Sequence, residues 1–191
     1  MKAFLIFVLL VIRKTGVMGI FGTKEATGLR ELFIAGLRDI YWAEEALVPA
    51  LQEMQEKATE EELRTAIEEH VVETKTHIAR LDEVFAKIGE KPEGKKCKAM
   101  EGILAEAEAV TDTAAEGVVR DAAIIACSQK VEHYEIASYG TLAAYARALG
   151  EQEIRKLLEE TLAEEKETDQ ILTDIAESVI NNEAAHKDLE E

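Results

Sequence analysis

The sequence predicts an all-α protein, a four-helix bundle with one long crossover connection and a short extra helix. Three observations carry this. Ala, Glu and Leu dominate while aromatic residues make up 5% and Pro occurs twice, a composition that favours long helices over sheet. Apolar residues recur at helical spacing along four long segments. Turn signals then divide those segments into a hairpin, a long connection and a second hairpin. The 191 residues suit one domain with a core large enough to stand without staples.

The first helix is read from Leu29 to about Lys57, where Leu29, Phe33, Leu37, Ile40, Leu47, Val48 and Leu51 share one side and Pro49 predicts a kink. Thr59 and Glu62 have the spacing of a capping box, which starts a second helix at residue 60, and Gly89 suits its C-terminal cap. So short a connection makes these two helices antiparallel neighbours. The stretch GEKPEGKKCK breaks all periodicity, and a short helix follows from about Ala99 to Val110. A third long helix runs from about Val118 to Leu149. Gly150 separates it from a fourth, from Glu151 to about Ile180, with Ile154, Leu158, Leu162, Leu172 and Val179 on its apolar side. Residues 29–180 form the bundle in this reading, and the polar tail 181–191 is expected to fray. One long crossover between two hairpins is the layout of ferritin-like folds.

Residues 1–28 stand apart as an N-terminal extension. The apolar run AFLIFVLLVI, positions 3 to 12, is too short for an ordinary membrane span, basic residues follow it directly, and no A-x-A cleavage pattern is present. We read it as a misassigned start with Met18 as the true first residue, and expect no membrane partner. The charge of −17, from 22 basic and 39 acidic residues, argues against nucleic acid. Cys97 and Cys127 have neither the number nor the spacing of a disulfide framework or a zinc site, which fits a reducing cytoplasm. Cys127 reads as a small buried hydrophobe, and Cys97, in a Lys-rich loop, as a reactive thiol with nothing to pair it.

Turning each helix by about 100° per residue places one acid near the centre of each apolar stripe: Glu44, Glu73, Glu135 and Glu165. Their depths agree. Glu44 and Glu73 are equally far from the first turn, Gly150 lies midway between Glu135 and Glu165, and each acid is roughly 22 Å from its turn at about 1.5 Å per residue. Four buried carboxylates need protons or cations, and two iron or manganese ions are the economical answer. With the second and third helices parallel, His70, Glu132 and Asp169 lie about one turn from that layer and join it as further ligands, Glu132 from the margin of its stripe. His77 points one turn the other way and reads as a core or supporting histidine. His133 points away from the stripe, Tyr139 is placed to hydrogen-bond a carboxylate, to donate an electron or, most commonly for such a residue, to pack, and Glu45, Glu164 and Glu167 lie off their stripes, facing solvent.

Five stretches, LRDIYWAEEAL (37 to 47), HVVETKTHIARLDEVF (70 to 85), CKAMEGILAEAE (97 to 108), EHYEIASYGTL (132 to 142) and LLEETLAEEKETDQIL (157 to 172), resemble the YciE/YciF group of bacterial ferritin-like proteins. The resemblance covers about residues 29 to 175. It implies a helical bundle, a homodimer, a dinuclear metal site and a link to bacterial stress, with no settled enzymatic activity. Ferritin-like sites usually carry Glu-x-x-His on two helices. Here Thr76 and Thr168 stand three residues after Glu73 and Glu165, His70 precedes its Glu, and Asp169 falls four after Glu165. The functional expectation is a di-metal carboxylate protein that reacts with peroxide or oxygen. The alternative is a non-catalytic stress or interaction protein with structural metal or none.

Overall fold

The computed structural model describes residues 26–187. The N-terminal run, the Met18 start and the last four residues lie outside that range. Its elements are α1 (Leu29–Lys57), α2 (Glu61–Ile88), α3 (Lys98–Thr113), α4 (Val118–Ala148), α5 (Gln152–Ile175), a π-helical turn (Ala176–Ile180) and α6 (Asn181–Lys187). No strand occurs among the described residues.

The bundle is a ring in which α1 packs on α2, α2 on α5, α5 on α4 and α4 on α1. Direction follows from paired contacts. Residues 41 and 82, then 44 and 77, meet between α1 and α2, so those helices are antiparallel. Across the ring, Thr59 meets Asp121, His70 meets Glu132 and His77 meets Tyr139, a constant offset that makes α2 and α4 parallel. The chain achieves this through the crossover, residues 89–117, whose helix α3 packs on α4 and α1. Gly89 and Gly150 end α2 and the α4–α5 turn with φ of 72° and 81°, a left-handed backbone that a Cβ disfavours.

Helix α1 is continuous through Pro49, whose missing N–H costs one bond within an otherwise intact ladder. The capping box expected at Thr59 does not form. Glu60 is the N-cap of α2 and accepts from the Glu61 amide. The Thr59 hydroxyl and amide instead donate to buried Asp121 on α4, at 2.5 and 2.8 Å, and the Glu60 amide donates to the same carboxylate at 3.0 Å. The long-range partner satisfies the orphan amides that the local Glu62 was expected to serve.

Cys97 is not the reactive thiol expected from its loop. It is buried, caps α3 by accepting from the Met100 amide at 3.4 Å, and lies 3.1 Å from the Tyr134 hydroxyl, which donates to Asp39 at 2.7 Å. Burial pushes its thiol up, away from the reactive thiolate. Cys127 is buried, as expected. The polar segment expected to fray from residue 181 is helical through Lys187 and packs on α4.

Candidate metal centre

Helix periodicity sends one carboxylate from each of α1, α4 and α5 into the middle of the ring, and Glu44, Glu135 and Glu165 are all 0% exposed. Glu132, expected at a stripe margin, is equally buried. Its helix explains the difference: α4 is covered by α1, α5 and α3 together, so it has no wide solvent face for a marginal residue to reach.

The stripe of α2 runs through Leu63, Ile67, His70, Thr74, His77 and Leu81, all buried. It passes through Thr74 rather than Glu73, which sits one position off and retains 34% of its side-chain exposure. Glu73 therefore stands at the rim, where it accepts a 3.3 Å bond from Thr168 and lies 3.6 Å from His70 Nδ1. His77, expected to be a core or supporting residue, takes the central position: its Nδ1 is 3.0 Å from Glu165 and 3.6 Å from Glu44.

Two buried donor groups result. Glu44, His77 and Glu165 form one, and His70, Glu132, Glu135 and Glu165 the other, with His70 Nε2 3.3 Å from Glu132. Glu165 belongs to both. A third, rim group joins Glu73, His77 and Glu164. Asp169, expected in the layer, belongs to none of these groups. It turns toward α4, where Gln129 donates to it at 3.3 Å and exposed His133 lies 3.6 Å away. Equal height along the bundle does not fix azimuth, and the step of four residues from Glu165 rotates Asp169 out of the ring.

Glu164, read as solvent-facing, is half-buried and faces α2: it accepts from His77 Nε2 at 3.1 Å and from two nitrogens of Arg80 at 2.5 and 3.0 Å. A single sequence carries no signal for that contact. Tyr139, 0% exposed, donates its hydroxyl hydrogen bond to Glu44, one of the three roles expected for it.

Burial sets the electrostatics, and charge crowding adds to it. Burial, then repulsion from Glu165, Glu44 and Glu132, pushes Glu135 well above the usual carboxylate range. Burial also pushes Glu165 up to about 7, opposed by His77 and reinforced by Glu132. For His77, burial acts downward, but the adjacent Glu165 and Glu44 carboxylates outweigh it and push the imidazole up to about 10. Glu73 is held low by its contact with His70, against its partial burial.

The donor set fits a pair of metal ions. Both oxygens of Glu132, Glu135 and Glu165, both nitrogens of His70, Nδ1 of His77 and Oε2 of Glu44 are buried with no hydrogen-bond partner. Protein interiors rarely tolerate such atoms unsatisfied. Carboxylate oxygen with imidazole nitrogen suits iron and manganese, and two divalent ions would offset the four buried carboxylates.

Residues 28–185 match the family described as Domain of unknown function (DUF892). The chain belongs to that family. Over 160 residues it is 46% identical to Protein YciF of Escherichia coli strain K12, a match covering 83% of this chain and 96% of the relative. The crystal structure of that E. coli stress protein superposes with a TM-score of 0.78 at 45% identity, covering 82% of this chain and 99% of the other. The YcfI structure from Rhodopseudomonas palustris gives 0.78 at 43% identity, with 80% and 98% covered, and a protein from Xanthomonas campestris gives 0.65 at 25%, with 84% and 99% covered. The all-helical bundle expected from the sequence is thus matched by the solved E. coli structure.

Proposed function

We propose that this chain holds two iron or manganese ions at the ring centre and reacts with peroxide or oxygen as part of a stress response. The observation that carries the reading is the set of buried, unpartnered donors on four helices, arranged in two groups around Glu165. Glu44, His77 and Glu165 would hold one ion, and His70, Glu132, Glu135 and Glu165 the other. When bound, such a pair supplies reversible electron transfer to a small oxidant.

The chain's own residues do the rest. With an ion bound, His77 would keep its proton on Nε2, donated to Glu164, and exchange the one on Nδ1, the nitrogen that faces Glu165 and Glu44, for the metal. Arg80 offsets the charge on Glu164 and also donates to Thr161 at 2.6 Å, which fixes the height of that carboxylate. Tyr139 occupies one oxygen of Glu44 and leaves Oε2 free, so a proton is stored at the edge of the site. Full burial of the acids keeps bulk water away from them.

Elemental mass spectrometry on untagged protein reconstituted with iron or manganese tests the reading. About two ions per chain are expected, lost in a Glu44→Ala/Glu135→Ala double variant. A wild type that takes up neither metal overturns it. Glu164→Gln is expected to weaken metal affinity by roughly 10- to 100-fold in a competition titration, because the acceptor that orients His77 loses its charge.

Metal and protons compete for the same atoms. Glu165 and His77 have folded-state values, about 7 and about 10, above their ordinary 4.5 and 6.5. Their protonation stabilises the metal-free fold fully below the ordinary values, and this is lost as pH rises through the folded ones. Manganese is therefore expected to raise the melting temperature more at pH 8 than at pH 6, and equal shifts would count against proton displacement.

A further inference from the structure

A cleft of about 410 Å³ opens between α2 and α5, with Leu51 and Ser128 contributed from α1 and α4. Five acids line it, Glu69, Glu73, Glu132, Glu164 and Glu167, and among the described residues neither Lys nor Arg does. Its apolar lining includes Val72 and Ile171, which expose 63% and 42% of their surface, two of the four large hydrophobics left open to solvent among the described residues. At its inner end lie His70 and Glu132, 5% and 0% exposed, with both ring nitrogens and both carboxylate oxygens unpartnered.

We infer that this cleft is the entrance through which divalent cations reach the centre, an inference that rests on the metal reading above. A cleft lined by one sign of charge with low-dielectric walls focuses field lines and raises the local concentration and on-rate of counter-ions by about 10- to 1,000-fold. The acids form a graded path. Glu69 and Glu167 are exposed, Glu73 and Glu164 half-buried, and Glu132 fully buried against His70. A cation moving inward exchanges water for carboxylate oxygen step by step, so the desolvation cost is never met in one stage. Glu73 and Glu164 of the rim group stand on this path.

The test is the rate of Mn²⁺ uptake by the metal-free full chain, followed with a fluorescent chelator that reports free Mn²⁺. A Glu69→Gln/Glu167→Gln variant touches no buried donor. It is expected to fill about 10-fold more slowly at low salt, to the same final stoichiometry, with the difference gone at 1 M salt, where the screening length is about 3 Å. A Glu101→Gln/Glu108→Gln variant on α3 carries the same change in net charge and is expected to fill at the wild-type rate. Ile171→Trp, which narrows the mouth, is expected to slow filling at both salt concentrations. If wild type and the Glu69/Glu167 variant fill equally fast at low salt, or if the α3 variant is slowed as much, the entrance is overturned while the centre stands. A wild type that takes up neither Mn²⁺ nor Fe²⁺ overturns both.

Discussion

Glu165→Ala is expected to abolish binding of both ions, whereas Glu44→Ala or Glu132→Ala weakens one group and leaves the other with its donors. The asymmetry follows from membership: Glu165 alone belongs to both buried groups. Wild type at a free metal concentration about 1,000 times its Kd gains about 4 kcal/mol from ligand linkage. For a domain of this size, at roughly 2 to 4 °C per kcal/mol, that is a rise in Tm of about 10 °C. In Glu165→Ala the metal-dependent rise is expected to vanish, while the metal-free Tm holds or increases, because the repulsion that Glu165 exerts on Glu44 and Glu135 is removed. Calorimetry with and without Mn²⁺ checks this. A variant that keeps a full metal-dependent shift would show that the two groups do not share a ligand.

Asp121→Ala, at the other end of the bundle, is expected to cost about 3 kcal/mol, or roughly 10 °C in Tm, with no change in metal stoichiometry. Asp121 is 0% exposed and accepts from the Thr59 amide, the Thr59 hydroxyl and the Glu60 amide. Removing it orphans two amides at the start of α2 and takes a carboxylate away from the positive end of that helix. Asp121→Asn keeps the shape and part of the hydrogen bonding, so it should recover part of the loss. Chemical denaturation of the three proteins measures it, and a loss below about 0.5 kcal/mol would mean that water caps α2 equally well.

These two residues also mark the limits of reading the chain alone. The helices, their order and the crossover followed from spacing and from turns at Gly89 and Gly150, because burial of one face per helix imposes a period that any window reveals. Glu44, Glu135 and Glu165 were legible for the same reason, as charges placed where leucines belong. His77 was visible too, seven residues from His70 on the same stripe, but ranking by height set it aside, and the side chains close that axial gap. Asp121 was invisible as a cap because its partner lies 62 residues away in sequence. Glu164 and Asp169 depended on azimuth between neighbouring helices, which a single-helix projection does not contain.

Helix α3 gives the molecule a front and a back. It lies over α1 and α4, the seam diametrically opposite the α2–α5 cleft. A crossover needed only to return the chain to the other end of the bundle could have been a bare strap. By folding sixteen of its residues into a helix, the chain insulates one seam and leaves the opposite one as the point of exchange with solvent. Connectivity, usually discussed as a matter of folding order, here acts as plumbing: the segment that joins the two hairpins also decides from which side their shared interior can be reached.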